Sequence, residues 1–279
     1  MNQTADPEPT DIQWRPAVKA QWNRLLRKAG WSALEQCWSY GEAIATQHHH
    51  AVERFVLMQG KREAALLQIV EGRLLPGVRL SRIVRGPVWL DGHPDPGLRD
   101  AVPRSLRDRY GILRRRPLLL LPELADTPDN FAALRATGLR RMVSGYGSSR
   151  LDLTPEPAQL RAALDGNWRN ALNRAERGKL KLDRAVPGSA LAELLAAYDG
   201  MRRGRRFVGP SGRFVAGLAA QLQPSGDLFV VRALAAGEMV AGALFVRHGG
   251  TATYLVGWTG EAGRNVGAGQ FVLWHGALA

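Results

Sequence analysis

The fold of this chain is decided by two adjoining runs near its end, YLVGWT at residues 254–259 and GRNVGAGQ at residues 263–270. The first run is mostly apolar and predicts a buried strand, and the glycines of the second predict a turn that opens a helix reaching Ala279. The N–H groups that start a helix lack intrahelical acceptors and, together with the helix dipole, favour an anion. Gly267 and Gly269 have no Cβ, so the pattern predicts a phosphate site at this turn.

Arg264 stands early in the second run, and the spacing Arg-x-x-Gly-x-Gly is similar to the pyrophosphate loop of the GNAT acyltransferases. The resemblance implies that the phosphates of an acyl-CoA are held by Arg264, Gly267, Gly269 and Gln270. The alternative is a tight strand-to-helix turn that needs its glycines for geometry alone. If the loop binds phosphate, we expect Gly267→Glu to abolish donor binding while the fold survives.

Length and composition exclude several classes of protein. With 279 residues and 45% hydrophobic content, the chain can bury one large core or two ordinary ones. The single cysteine, Cys37, excludes a disulfide within the chain and a cysteine-based metal cluster. Adjacent side chains point in different directions, so we expect the histidines at residues 48–50 to form a loop rather than a metal site. The chain has no long apolar run and no basic, apolar leader, which predicts a cytoplasmic protein.

The charge balance is strongly basic, with a net charge of +13 and a pI of about 10.9. One interpretation is a generally arginine-rich surface. The other is a polyanionic partner, and the candidates are tRNA, the phosphates of CoA, a lipid-pyrophosphate precursor or an anionic membrane face. The net charge alone does not distinguish between these interpretations or among the candidate partners.

The first half of the chain predicts a disordered tail followed by an α/β domain. The tail covers residues 1–12 and the domain residues 13–150. Helical spacing, alternation and glycine turns predict helices over 14–45, 94–109 and 129–137, a hairpin over 53–74, and strands over 78–90 and 118–121.

In the second half of the chain, residues 151–279, the sequence predicts an order of helices and strands similar to that of the first half. Thr154 as N-cap and Pro155 at the first helical position predict one helix ending at Gly178. A second helix over 190–201 leads into a basic loop at 202–207, and strands are expected over 228–234, 238–246 and 251–258. The hairpin over 228–246 faintly repeats the one over 55–70, which two copies of one α/β unit would explain.

A polar helix face is predicted within the first of these helices. If the segment is helical, its polar residues share one side of the helix, opposite an apolar side. The polar residues are Asn170, Asn173, Arg174 and Arg177. Arginine with asparagine suits recognition of phosphate or amide groups. A merely solvated face is the alternative.

The stretch from Trp168 through Gly178 to Leu182 resembles a signature of the Fem peptidoglycan-bridge family and the related BioF2-like acetyltransferases. Further matches are Tyr198 with residues 201–207, residues 241–257, and Arg85-Gly86-Pro87-Val88. The resemblance covers roughly residues 30 to 279. It implies an α/β fold with two tandem GNAT-like domains, each a mixed sheet flanked by helices. The second domain is expected to be incomplete, because the family's C-terminal Asp-x-Gly-Gly strand is absent.

The resemblance also implies acyl transfer to an amine on a cell-envelope precursor or polysaccharide. The donor is aminoacyl-tRNA in the Fem branch and acyl-CoA in the other, and the Arg-x-x-Gly-x-Gly spacing favours acyl-CoA. Tyr254 is the expected proton donor, with a core tyrosine as its alternative, and Asp199 and Glu238 are weaker candidates for a base. The acceptor or tRNA side is assigned to Asn170, Arg174, Arg202 and Arg205. The remaining alternative is a truncated, non-catalytic module that binds an anionic partner.

Overall fold

The computed structural model describes residues 11–92, 96–142 and 147–279, and the chain divides into two compact units. The first unit runs to Gly147 and also includes His248–Thr251, and the second holds Ser148–Arg247 and Ala252–Ala279. Of the expected disordered tail, residues 1–10 lie outside the described part, whereas Ile12 pairs with Gln59 in a sheet.

The described residues of the first unit form a six-stranded sheet and four α-helices. Its strands are β1 (Ile12–Pro16), β2 (Ala51–Gln59), β3 (Arg62–Leu75), β4 (Val78–Val84), β5 (Val88–Trp89) and β6 (Leu118–Leu121). Its helices are α1 (Lys19–Lys28), α2 (Trp38–His48), α3 (Pro96–Arg109) and α4 (Pro128–Ala136). The strand order is β1-β2-β3-β4-β6, with β5 beside β3, and β4 with β6 is a parallel pair. The predicted hairpin is β2–β3.

The prediction that a helix begins at Trp14 is wrong, because residues 12–16 form strand β1 and helix α1 begins at Lys19. Trp14 packs edge-on against Phe55 of β2, and its indole N–H donates to Ser105 Oγ on α3 at 2.5 Å. Both contacts are distant in sequence, so they outweigh the local helical spacing.

The second unit contains a four-stranded sheet of order β10-β9-β8-β7 and six α-helices. Its strands are β7 (Lys181–Ala185), β8 (Leu228–Ala235), β9 (Glu238–His248) and β10 (Thr251–Thr259). Its helices are α5 (Pro157–Ala162), α6 (Gly166–Arg177), α7 (Ser189–Arg205), α8 (Gly212–Leu222), α9 (Glu261–Val266) and α10 (Ala268–Ala277).

Helices α6 and α10 bury their apolar sides against the second sheet. Leu172 of α6 and Phe271 of α10 share one core with the strand residues Val231 and Ala243. The small alanines of β8 and β9 let the helices lie close to the sheet. Gly242 likewise makes room for a helix, since a Cβ at this position would lie 2.9 Å from Leu194 Cδ1 of α7.

The single helix expected over 154–178 is wrong, because the segment forms two helices. Thr154 caps neither of them and donates its hydroxyl to Asp152 Oδ1 at 2.8 Å. Pro157 begins α5, and α6 begins after Asp165, whose carboxylate accepts the Asn167 and Trp168 N–H groups at 2.9 and 3.1 Å. Asp165-Gly166 interrupts the apolar spacing with a new N-cap.

The prediction of a basic loop at 202–207 is also wrong for most of these residues, because α7 continues to Arg205. Arginines in a last helical turn complement the negative end of the dipole, and this extends the helix. Helix α8 was not predicted. Its sequence signal is Ser211, which caps the helix by accepting the Phe214 N–H at 3.2 Å.

Candidate functional site

The turn expected between the last strand and the last helix is itself helical. Residues 261–266 form the short helix α9, and only Gly267, with φ +77°, separates α9 from α10. Gly263 is buried in this short helix, where a Cβ would lie 2.2 Å from Val240 O on β9. The glycine therefore lets α9 lie directly on the sheet.

Gly267 serves helix packing. A Cβ at this position would lie 2.4 Å from Ala171 O on α6, and the residue is buried. Backbone cannot move aside as a flexible side chain can, so only glycine fits this contact. The expectation that Gly267→Glu leaves the fold intact is therefore wrong, and Gly267 lines neither of the cavities described next.

The first cavity, of about 290 Å³, lies at the start of α10. It is lined by Trp168, Thr259, Arg264, Gly269, Gln270 and Leu273. Three of the predicted donor-binding residues thus share one wall. The N–H groups in the first turn of α10 have no acceptor within the helix, and its dipole adds partial positive charge there. The cavity therefore has the chemistry of an anion site.

The second cavity, of about 220 Å³, shares Thr259 and Arg264 with the first. Its full lining is Met201, Arg205, Tyr254, Gly257, Trp258, Thr259 and Arg264. The structure thus brings the predicted proton donor Tyr254 together with Arg205 from the end of α7. Arg264 also donates to Thr259 O at 3.0 Å, which holds the shared wall in place.

Tyr254 is half exposed on strand β10 and packs against Phe245 at 5.8 Å between ring centroids. Gly257 makes room for its hydroxyl, because a Cβ there would lie 2.1 Å from Tyr254 Oη. Burial raises the pKa of Tyr254, and neighbouring Tyr198 raises it further. The phenol therefore remains protonated near neutral pH and can donate a proton.

The other predicted residues lie outside both cavities. Asn170 and Arg174 are exposed on α6. Arg202 pairs with Asp199 at 3.1 Å, and the Gly212 N–H at the start of α8 donates to the same carboxylate at 3.1 Å. Burial acts to raise the pKa of Asp199, but the hydrogen bonds from Gly212 and Arg202 outweigh it and lower the pKa. Asp199 therefore joins α7 to α8 as a charged carboxylate, and it makes a poor general base.

Glu238, the other candidate base, is exposed where β9 begins and lies outside both cavities. Sequence reasoning missed Thr259, which lies in both cavity walls. One feature of the sequence could have identified Thr259 as a site residue, because it ends the strand that leads into the glycine-containing run.

The three adjacent histidines lie where a helix meets a strand. His48 ends α2, His49 has a left-handed backbone, and His50 Nδ1 lies 2.8 Å from Arg82 Nη2. Within residues 11–92, 96–142 and 147–279, no group of three or more histidine, cysteine or acidic side chains is placed to hold a metal ion. Over the same ranges, no helix is both long and apolar enough to cross a membrane. Burial raises the pKa of Cys37 to about 12, so its thiol is unreactive.

Comparisons with known proteins bear on the family and the fold of this chain. Residues 158–278 match the family described as "Acetyltransferase (GNAT) domain". The fold is similar to the crystal structure of FemX, with a TM-score of 0.77 and 12% identity over 95% of this chain and 85% of that chain. No curated protein matches.

Two further solved structures are similar. A conserved protein of unknown function from Bacteroides thetaiotaomicron VPI-5482 has a TM-score of 0.54 and 15% identity over 96% of this chain and 86% of that chain. A tandem GNAT protein from the clavulanic acid biosynthesis pathway has a TM-score of 0.47 and 15% identity over 95% and 84%. Residues 158–278 therefore match a GNAT acetyltransferase domain, which supports an acyltransferase, and the chain has the fold of FemX.

Proposed function

We propose that the chain transfers an acyl group from acyl-CoA to an amine on a cell-envelope precursor or polysaccharide. The observation that carries this proposal is the pair of cavities that share Thr259 and Arg264 beside the first turn of α10. One cavity offers anion chemistry and the other offers a protonated tyrosine. An acyl-CoA has the matching parts, a pyrophosphate at some distance from a thioester.

The first cavity is the proposed site of the donor pyrophosphate. Backbone N–H groups of α10, the Arg264 guanidinium and the Gln270 amide supply donors for the phosphate oxygens. Gly269 keeps the cavity open, because a Cβ there would lie 3.1 Å from Thr259 Oγ1. Gly267 contributes indirectly, by letting α10 start close to α6.

The second cavity is the proposed place of reaction. The amine nitrogen attacks the thioester carbonyl carbon, so a C–N bond forms and the C–S bond breaks. The amine releases a proton to water, and the leaving thiolate takes a proton from Tyr254 Oη, which solvent then restores. Arg205 lines this cavity, and its charge suits a phosphate or carboxylate on the acceptor.

Calorimetric titration of the full chain with acetyl-CoA and with free CoA tests the donor site. We expect both to bind the wild type, Gly269→Glu to abolish binding by charge repulsion, and the matched neutral variant Gly269→Gln to weaken it less. Circular dichroism of each variant checks the fold. Equal binding by all three proteins would overturn the assignment. Donor binding without turnover on any amine would favour the non-catalytic module instead.

Aminoacyl-tRNA is the second candidate donor. The observation that favours it is the exposed polar side of α6, where Asn170, Arg174 and Arg177 lie outside both cavities. Arg203 and Arg206 at the end of α7 are also exposed. Such surfaces suit a long phosphate backbone better than a single pyrophosphate.

A further inference from the structure

We propose that the first unit carries a docking surface for an anionic lipid membrane, formed by residues other than those of the proposed donor site. The surface, called the tip here, consists of the β3–β4 turn (residues 73–79) and the 3-10 turn Ile112–Arg114 with Arg115. It combines exposed aliphatic side chains with arginines. It does not depend on the identity of the acyl donor.

The aliphatic side chains of the tip are unusually exposed. Their exposed fractions are 52% for Leu74, 60% for Leu75, 82% for Ile112 and 100% for Leu113. Single exposed hydrophobic residues are common, but an adjoining group of four is typical of an interaction surface. Membrane-surface proteins expose such residues because the acyl-chain boundary buries them.

The two turns of the tip are held together by main-chain hydrogen bonds. The Arg79 N–H donates to Arg115 O at 3.0 Å, and the Ser81 N–H donates to Pro117 O at 2.9 Å. β4 then continues beside β6 as a parallel pair. The two turns that carry the four aliphatic residues therefore lie side by side on a rigid support.

Four exposed arginines accompany them, and they are Arg73, Arg79, Arg114 and Arg115. Arg73 lies directly opposite Arg79 in the β3–β4 register, an unfavourable pairing of like charges. The sequence has no acidic residue over 72–90 or 109–122. Arg79 reaches Glu71 only at 3.9 Å, and that buried carboxylate already accepts hydrogen bonds from Ser81 and Arg116. An external anion would relieve the repulsion.

The chemistry of the tip favours a membrane over the other occupants. A second copy of the chain would bring four arginines against four arginines. A nucleic acid offers charge but no apolar layer for the four aliphatic side chains, and the tip has no aromatic side chain on which bases could stack, since nearby Tyr110 is only 2% exposed. Anionic phospholipid supplies both a negative surface and an apolar layer beneath it.

Co-sedimentation of the full chain with vesicles tests this proposal. The probes are vesicles of phosphatidylcholine alone and of phosphatidylcholine mixed with phosphatidylglycerol. We expect binding only to the mixed vesicles, and a loss of roughly tenfold or more for Leu75→Asp and Leu113→Asp. The matched control is Val186→Asp, at a residue of the second unit that is 81% exposed, and it should bind like the wild type.

A second pair of variants separates the tip from total charge. Arg73→Gln/Arg114→Gln should weaken binding by roughly fivefold for each arginine removed. Arg27→Gln/Arg135→Gln removes the same charge from two exposed arginines on α1 and α4, and it should bind like the wild type. Equal losses in the two double variants would overturn the proposal, as would no binding of the wild type to mixed vesicles. Self-association of the chain that Leu113→Asp abolishes would assign the tip to a second copy.

Discussion

At the scale of single residues, Tyr254 has the most direct chemical consequence. We expect Tyr254→Phe to lower kcat by about a hundredfold, a typical loss for a general acid, because the ring remains but its proton is removed. The dissociation constant of acetyl-CoA should stay unchanged. Steady-state kinetics and calorimetry measure the two quantities. Tyr110→Phe in the first unit is the matched control, and an equal loss of kcat in both variants would contradict the role of Tyr254.

Gly267 should prove essential for stability. We expect Gly267→Ala to lower the free energy of unfolding by about 2–4 kcal/mol, because the new Cβ meets Ala171 O and φ is positive. Gly200 in the middle of α7 is the matched control. No atom lies within 4 Å of a Cβ there, so Gly200→Ala should raise stability by about 0.5–1 kcal/mol. Urea unfolding of the two variants distinguishes the expected decrease in the free energy of unfolding from the expected increase.

His248 makes stability depend on pH. Burial lowers its pKa to about 4, and Arg85 adds to this effect, whereas an unfolded histidine titrates near 6.5. Because the folded pKa is depressed, the unfolded state binds more protons below about pH 6.5. The stabilisation is complete above that pH and is lost progressively as the pH falls towards 4.

We therefore expect a contribution of about 2 kcal/mol to disappear between about pH 8 and pH 5. His248→Asn keeps a polar group near Ser32 Oγ, which lies 3.1 Å from Nδ1, but it does not titrate. Urea midpoints of both proteins across this range measure the difference. Parallel curves for the wild type and the variant would show that His248 does not titrate differently in the two states.

At the scale of elements, α6 depends on a side chain that lies just before its first turn. We expect Asp165→Ala to lower the free energy of unfolding by about 1 kcal/mol, since the Asn167 and Trp168 N–H groups lose their acceptor. Asp165→Asn is the matched control and should cost less, because an amide oxygen can still cap. Chemical denaturation gives both values, and equal losses would assign the effect to charge rather than capping.

A comparison of the expected and observed elements shows which parts of the secondary structure local sequence determines. The hairpins over 51–75 and 228–248 were predictable, because apolar alternation and a glycine turn are local signals. The break between α5 and α6 was not predicted, because one apolar spacing runs across it. Asp165 decides that break, because its carboxylate caps the first turn of α6.

At the scale of the whole molecule, the net charge of +13 predicts that any polyanion will bind to some extent. We expect unacylated tRNA to bind with an affinity that falls steeply with salt, and acetyl-CoA with a much weaker dependence. If acyl-CoA is the donor, tRNA should not compete with acetyl-CoA at moderate salt. Fluorescence anisotropy of labelled tRNA measures both effects, and full competition would favour the aminoacyl-tRNA alternative.

The sequence by itself determined the α/β class, three of the four strands of the second sheet and the segment that carries the GNAT match, whereas β7 was not predicted. It also placed Arg264, Gly269 and Gln270 in one run, and they line one cavity. These features depend on neighbours a few residues apart, which periodicity and turn chemistry report directly.

Only the tertiary structure decided the role of Gly267 and the meeting of Tyr254 with Arg205 and Arg264. Gly267 must be small because of Ala171, which lies on another helix far away in sequence. The second cavity combines the end of α7 with β10 and α9. Cavities and close backbone contacts arise between segments that are distant along the chain, and no local pattern of residues records which segments will meet.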